Sequence, residues 1–177
     1  SLIIFTHEHF DHIDIPALKV ILLNNKSAIL TNSGVHSFLR KEGIDSTMLD
    51  EGIYTTSKFS IKVLPAEHEK LLFSVPHNTA YLINDSFLHP GDSLDKRLLV
   101  HKMIKVLALP IMAPWAKMTD VAEFAKALAP KTIIPIHDGF AKEFFLERQY
   151  DNFKKYFDAL EIAFRPLRTP SEFIEIK

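Results

Sequence analysis

The sequence predicts an α/β fold in a single domain spanning residues 1–177. Three observations carry that expectation. The N-terminal part, through Lys41, alternates short apolar runs with amphipathic segments in the order strand, helix, strand, helix. The centre of the chain holds two candidate β-hairpins, and polar residues recur just past the ends of predicted strands.

Each element has a local reason. Leu2 to Phe5 is short and apolar, as a buried strand is, and Thr6 to His12 is a polar loop. Asp14 and Pro16 mark a helix start, Leu18, Ile21 and Leu22 share one face, and Asn24-Asn25 ends the helix. Ser27 to Leu30 reads as a strand, and a second helix runs from about Ser33 to Lys41, stopped by Gly43. Gly52 to Thr56 with Phe59 to Leu64, and Thr79 to Ile83 with Ser86 to His89 around Asn84-Asp85, read as paired strands. Asp95 to Lys102 is expected to be helical and Lys105 to Leu109 a strand. Thr119 is the expected N-cap of a helix through Leu128, with Asp120 and Glu123 near its positive end and Pro130 beyond it. Thr132 to Ile136 is a strand, helical segments follow to about Leu160, and Phe144, Phe145, Phe153 and Phe157 are expected in the core. Phe173 to Ile176 reads as a last strand.

Composition narrows the function. With 47% hydrophobic and 24% charged residues, the chain has enough apolar material for a core, which excludes a disordered protein. A net charge of −1 argues against general binding to nucleic acid or anionic membrane, so a small-molecule partner is expected. The most apolar stretch, Val106 to Ala116, is broken by Pro110 and Pro114 and falls far short of the roughly 20 residues of a membrane span. No cysteine is present, so there is no disulfide, zinc ribbon or thiol nucleophile; this fits a reducing compartment, and a cytoplasmic location is expected. No signal peptide is visible, and because Ser1 runs straight into a strand, further native sequence is expected upstream.

The chemistry concentrates in histidine and aspartate. His7, His9, Asp11 and His12 crowd into the loop after the first strand. His7 and His9, two apart in extended backbone, can point to one side and share a metal, while Asp11 and His12 can reach a second one. A catalytic zinc needs three protein ligands and an open position, so further ligands must come from elsewhere. His68, Asp92 and His137 each follow the end of a predicted strand and supply candidates. Gly91 and Gly139 stand beside two of them, where tight backbone turns are expected.

Taken together, these residues resemble the metallo-β-lactamase superfamily. Thr6-His7-Glu8-His9-Phe10-Asp11-His12 matches its H-x-H-x-D-H signature, and His68, Asp92 and His137 match its later motifs in order and spacing. Pro65-Ala66-Glu67-His68, His89-Pro90-Gly91-Asp92-Ser93, Ala108-Leu109-Pro110-Ile111 and Ile134-Pro135-Ile136-His137 are similar to one branch. That branch contains L-ascorbate-6-phosphate lactonase, N-acyl-phosphatidylethanolamine phospholipase D and uncharacterised bacterial metal-dependent hydrolases. The resemblance implies an αβ/βα sandwich with a two-metal site. Superfamily members usually carry about two more strands ahead of this point, including a Gly-His motif and a strand ending in Asp-Pro. The sequence holds neither, so a sandwich lacking its first N-terminal strands is expected.

Carried over by position, His7, His9 and His68 would hold one metal and Asp11, His12 and His137 the other, with Asp92 bridging. Two divalent ions are implied; zinc is the default for a nitrogen-rich set without thiolate, with manganese and iron as alternatives. The resemblance further implies a hydrolase that attacks a small ester, lactone, amide or phosphodiester with a metal-bridging hydroxide, Asp11 and Asp92 being its catalytic carboxylates. Trp115, Phe140 and His77 are candidate substrate residues, each weighed against an ordinary packing or loop role. His89 is expected to support the site rather than ligate, and His36 and His101 to be structural. Three other readings compete. A redox diiron protein on the same fold would carry Glu where His9 stands, and a nuclease would need an insert that the 44 residues between Asp92 and His137 leave no room for. The third is a truncated or non-catalytic metal-binding member of the fold.

Overall fold

A computed structural model describes residues 1–176. Two sheets lie face to face with helices on their outer sides. The smaller sheet is all parallel and consists of β1 (Leu2–Ile4), β2 (Ala28–Thr31) and β3 (Thr47–Met48), in that spatial order. Helix α1 (Ile15–Asn24) joins β1 to β2, and α2 (Ser33–Lys41) joins β2 to β3, as parallel strands require. Asp14 caps α1 by accepting from the Ala17 N–H at 2.8 Å, and Asn32 caps α2 by accepting from the Val35 N–H at 2.9 Å.

The larger sheet begins as an antiparallel meander of β4 (Gly52–Thr55), β5 (Ser60–Pro65), β6 (Thr79–Ile83) and β7 (Phe87–His89). It continues parallel through β8 (Val106–Pro110), β9 (Thr132–Ile136) and β10 (Ala163–Phe164). Helices α3 (Met118–Leu128) and α4 (Glu143–Asp158) form the crossovers from β8 to β9 and from β9 to β10.

Alternation along the strands sorts side chains into layers. In β2, Ile29 packs with Leu18, Val35 and Leu39 under α1 and α2, whereas Leu30 faces Ile61, Val63 and Tyr81 of the larger sheet. In β6, Ala80 and Leu82 face α3 and α4 while Tyr81 and Ile83 meet the smaller sheet. The largest core lies beneath α3 and α4, where Val121, Phe124, Leu128, Phe153 and Phe157 cover Leu107, Leu109 and Ile133. Tyr81 also pins the two sheets together, its hydroxyl donating to the Phe5 carbonyl at 2.9 Å. The expected α/β sandwich is therefore the observed one.

Several local expectations are corrected. The segment after Asp95 is a 3₁₀ helix (Lys96–His101), capped by Asp95 accepting from the Arg97 N–H. Helix α3 starts at Met118 with Lys117 in the capping position, and the Thr119 hydroxyl turns to the Asp120 carboxylate instead of capping. The final strand is Ala163–Phe164, not Phe173 to Ile176; β10 already occupies the position beside β9, and Phe173 stands 81% exposed. Of the four expected core phenylalanines only Phe153 and Phe157 are buried; Phe144 and Phe145, in the first turn of α4, are exposed, and Phe145 lines a cavity instead of the core. Strand β3 escapes a sequence reading because it is two residues long and exposed. Among the described residues, no helix is long and apolar enough to cross a membrane.

Candidate metal centre

All seven predicted ligands meet at one end of the strands. The loop between β1 and α1 brings His7, His9, Asp11 and His12; its carbonyl at His9 accepts from the N–H groups of His12 and Ile13, a tight turn that displaces Asp11 and His12 from the first two histidines. His68 follows β5, Asp92 follows β7 and His137 follows β9. Candidate ligand atoms of His7, His9, His68 and Asp92 lie within 4.8 Å of one another, and so do those of Asp11, His12 and His137. Asp92 reaches both groups, with carboxylate oxygens 3.5 Å from His68 Nε2, 3.4 Å from His12 Nε2 and 3.1 Å from His137 Nε2.

The ring orientations are imposed by neighbours. His68 Nδ1 and His137 Nδ1 each lie 2.6 Å from a backbone carbonyl, of Glu69 and Met112 respectively, and His7 Nδ1 lies 3.1 Å from the Thr6 hydroxyl. Those contacts leave Nε2 as the free nitrogen on all three rings and aim it at the centre, the arrangement that metal-ligating histidines use. Burial and the neighbouring His12 push the His7 imidazole down to about 2, and burial with His68 lowers His9, so both stay neutral and able to ligate. Burial works against the charge on Asp92, but the close imidazoles of His12, His137 and His68 hold its carboxyl far below the usual range. Burial likewise opposes protonation of His137, yet the Asp92 carboxylate raises it to about 9. The anion thus draws positive charge into the cluster, the demand that a cation would meet.

The residues fit divalent metal. His7 Nε2, His12 Nε2, His68 Nε2 and Asp92 Oδ1 are buried without a hydrogen-bond partner, and the three nitrogens lie 3.9, 3.4 and 3.5 Å from the Asp92 carboxylate. Unpaired buried polar atoms are costly and rare, and here cations would satisfy all of them at once. The donor set, five imidazoles and two carboxylates with no thiolate, suits zinc and also manganese or iron.

Residues without an obvious sequence signal complete the frame. Asn78, buried, donates to the Ala66 and Pro90 carbonyls at 2.9 and 3.0 Å and accepts from the Asp92 N–H at 3.2 Å, tying the His68 and Asp92 loops together. Asn32 donates to the Thr6 carbonyl at 2.8 Å and so holds the start of the histidine loop. Gly91, as expected, is in the left-handed region; Gly139 is not, and the strained turn there falls on His137 itself, with φ +61°. His89 accepts from the Gly91 N–H at 3.1 Å, and burial pushes its imidazole down to about 4.

A cavity of about 740 Å³ opens beside the cluster. His9, Asp11, His68, Asp92 and His137 form one wall, and Trp115 and Phe140 are among the residues that line the rest. Trp115 also donates its indole N–H to Asp92 Oδ2 at 3.1 Å. His77 is outside the lining: its Nδ1 is 3.1 Å from the Ser33 hydroxyl and 3.4 Å from the Asp50 carboxylate, at the start of α2.

An αββα sandwich with histidines and aspartates gathered at its strand ends defines the class, a metallo-β-lactamase fold with a cluster of residues able to hold metal. The family model described as the beta-lactamase superfamily domain matches residues 1–137, and the chain belongs to that superfamily of metal-dependent hydrolases. It is 28% identical over 144 residues to Protein Rv0786c of Mycobacterium tuberculosis, a match covering 77% of this chain and 66% of that one. Among solved structures it is similar to Igni18, a metallo hydrolase from the hyperthermophilic archaeon Ignicoccus hospitalis, with 23% identity and a TM-score of 0.76 over 100% of this chain and 80% of that one. It is also similar to CmlA, a diiron β-hydroxylase from Streptomyces venezuelae, with 15% identity and a TM-score of 0.73 over 94% of this chain and 43% of that one. Both structural likenesses concern the fold.

Proposed function

We propose that the protein is a binuclear metal-dependent hydrolase acting on a small ester, lactone, amide or phosphodiester. The observation that carries the reading is the convergence of seven potential ligands, four of whose ligand atoms are buried and unpartnered around the Asp92 carboxylate. His7, His9 and His68 would hold one cation, Asp11, His12 and His137 the other, and Asp92 would touch both; zinc is the favoured metal. When bound, such a pair would supply Lewis acidity and a hydroxide nucleophile at neutral pH.

The chain's own residues prepare that chemistry. His68 and His137 are locked by backbone carbonyls, so no reorganisation is needed when a ligand arrives. Trp115 holds one Asp92 oxygen with its N–H and walls the cavity with its ring. Asp11, 3.5 Å from His137 Nε2 and lining the cavity, is placed to orient an attacking water by hydrogen bonding. Gly91 lets the Asp92 loop approach Asn78 closely.

Elemental analysis of the purified protein, followed by chelation, metal return and a screen of chromogenic esters and phosphodiesters, tests the reading. About two metal ions per chain and turnover that vanishes with chelator and returns with Zn²⁺ or Mn²⁺ are expected. Asp92→Ala and His137→Ala should each lower turnover at least about a hundredfold while circular dichroism stays native. Unchanged turnover in either variant, or metal-free protein with full activity, refutes it. Two irons per chain with redox activity would favour the diiron reading instead.

A further inference from the structure

We propose that the substrate is a neutral ester or lactone whose acyl part is an apolar chain, bound in the cavity beside the metal centre. The proposal rests on the hydrolase reading and narrows it. Away from the ligand cluster, the cavity wall is apolar: Ile111, Met112, Trp115 and Met118 come from the β8–α3 segment, and Phe140 and Phe145 from the β9–α4 segment. Gln149 is the one polar side chain outside the cluster in that lining, and it is uncharged.

Two substrate classes are disfavoured by that wall. No lysine or arginine lines the cavity among the described residues, so a phosphate or carboxylate lodged against the apolar wall, away from the ligand cluster, would lose its hydration with no cation in return. A sugar would need several side-chain donors and acceptors, and a single glutamine does not provide them. An alkyl chain needs none, and it gains from each methylene taken out of water. The mouth continues the same character, with Phe10 85% exposed and Phe140 70% exposed on opposite loops of the metal cluster. A volume of about 740 Å³ suits a small molecule rather than a polymer. In the reaction, the oxygen of water bonds to the acyl carbon and the acyl–oxygen bond breaks. The leaving alcohol takes a proton, and a carboxylic acid remains.

The test uses the metal-loaded protein and two readouts. Hydrolysis is measured on p-nitrophenyl acetate, butyrate and hexanoate against bis(p-nitrophenyl) phosphate and a p-nitrophenyl hemisuccinate. Binding is measured separately, by fluorescence of Trp115, the single tryptophan of the chain, titrated with 1-butanol, 1-hexanol and 1-octanol. We expect kcat/KM to rise about fourfold per added methylene and alkanol affinity to rise in parallel. The phosphodiester and the anionic ester should be slower than the hexanoate by at least about a hundredfold. Met118→Lys, which puts a cation at the apolar wall, should flatten both chain-length slopes and raise the rate on the hemisuccinate.

The outcomes separate the two readings. A flat chain-length profile, or preference for the phosphodiester, overturns this inference while leaving a hydrolase. Chain-length-dependent alkanol binding without hydrolysis of any ester keeps the apolar site and overturns the catalytic reading. Neither binding nor hydrolysis overturns both.

Discussion

At Gly91 the backbone takes φ +64°, and a Cβ there would fall 2.1 Å from Asn78 Oδ1 and 3.0 Å from the Thr6 Cβ. Asn78 cannot yield, because it is buried and its amide bridges the two ligand loops. Gly91→Ala is therefore expected to cost about 2–3 kcal/mol, from left-handed strain added to the overlap. Urea unfolding of the metal-free protein measures that loss, and the variant should also bind less than its full metal complement because Asp92 shifts. A wild-type midpoint in Gly91→Ala would refute the account. His137 shows the complementary case, a bulky residue held at positive φ while Gly139, two residues on, is not in the left-handed region, which places strain on a predicted ligand.

At the scale of elements, Asp95 joins the 3₁₀ helix to the His68 loop. Its carboxylate caps the helix through the Arg97 N–H at 2.8 Å, accepts from the Glu67 N–H at 3.1 Å and pairs with the Arg97 guanidinium at 2.5 Å. Burial opposes its charge, but Arg97 with those two backbone N–H groups lowers its pKa below the ordinary 3.8. A lowered carboxyl pKa gives stability that is present above the unfolded value and is lost as pH falls through the folded one. Asp95→Asn should thus be less stable than wild type by about 1 kcal/mol at pH 7. The gap should close progressively below about pH 4, as wild-type Asp95 is protonated. Paired urea titrations at the two pH values check this, and a gap independent of pH would remove the charge from the explanation.

For the whole molecule, a metal that binds only the folded chain must stabilise it. At a free concentration 100 times its dissociation constant, the gain is about 2.7 kcal/mol. In a chain of this size that is about 5–10 °C of melting temperature. Thermal unfolding with Zn²⁺ against excess chelator should show that difference, and none should remain when His7 and His137 are both replaced by Ala. Identical melting curves for wild type with and without metal would count against a preorganised metal centre.

Much of this was legible beforehand because strand and helix periodicity are local. Leu2 to Phe5, the Asp14 cap, the 79–89 hairpin and the crossover helices follow from patterns a few residues long, and the spacing of His7, His9, Asp11 and His12 is as local as a motif can be. Other features depend on contacts across the chain. Asn78 matters because it bridges Ala66, Pro90 and Asp92; His77 misses the cavity because Ser33 and Asp50 hold its ring; and Phe144 stands exposed in the first turn of α4 while Phe153 and Phe157 on the same helix are buried. The amino-acid sequence alone determined most strands and helices and the loop of His7, His9, Asp11 and His12, since these are written in short-range order, while the sandwich and the place of His68, Asp92 and His137 beside that loop were what the resemblance implied. Only the tertiary structure decided which nitrogens face inward, what locks them and how apolar the neighbouring cavity is, because those properties arise where distant loops touch.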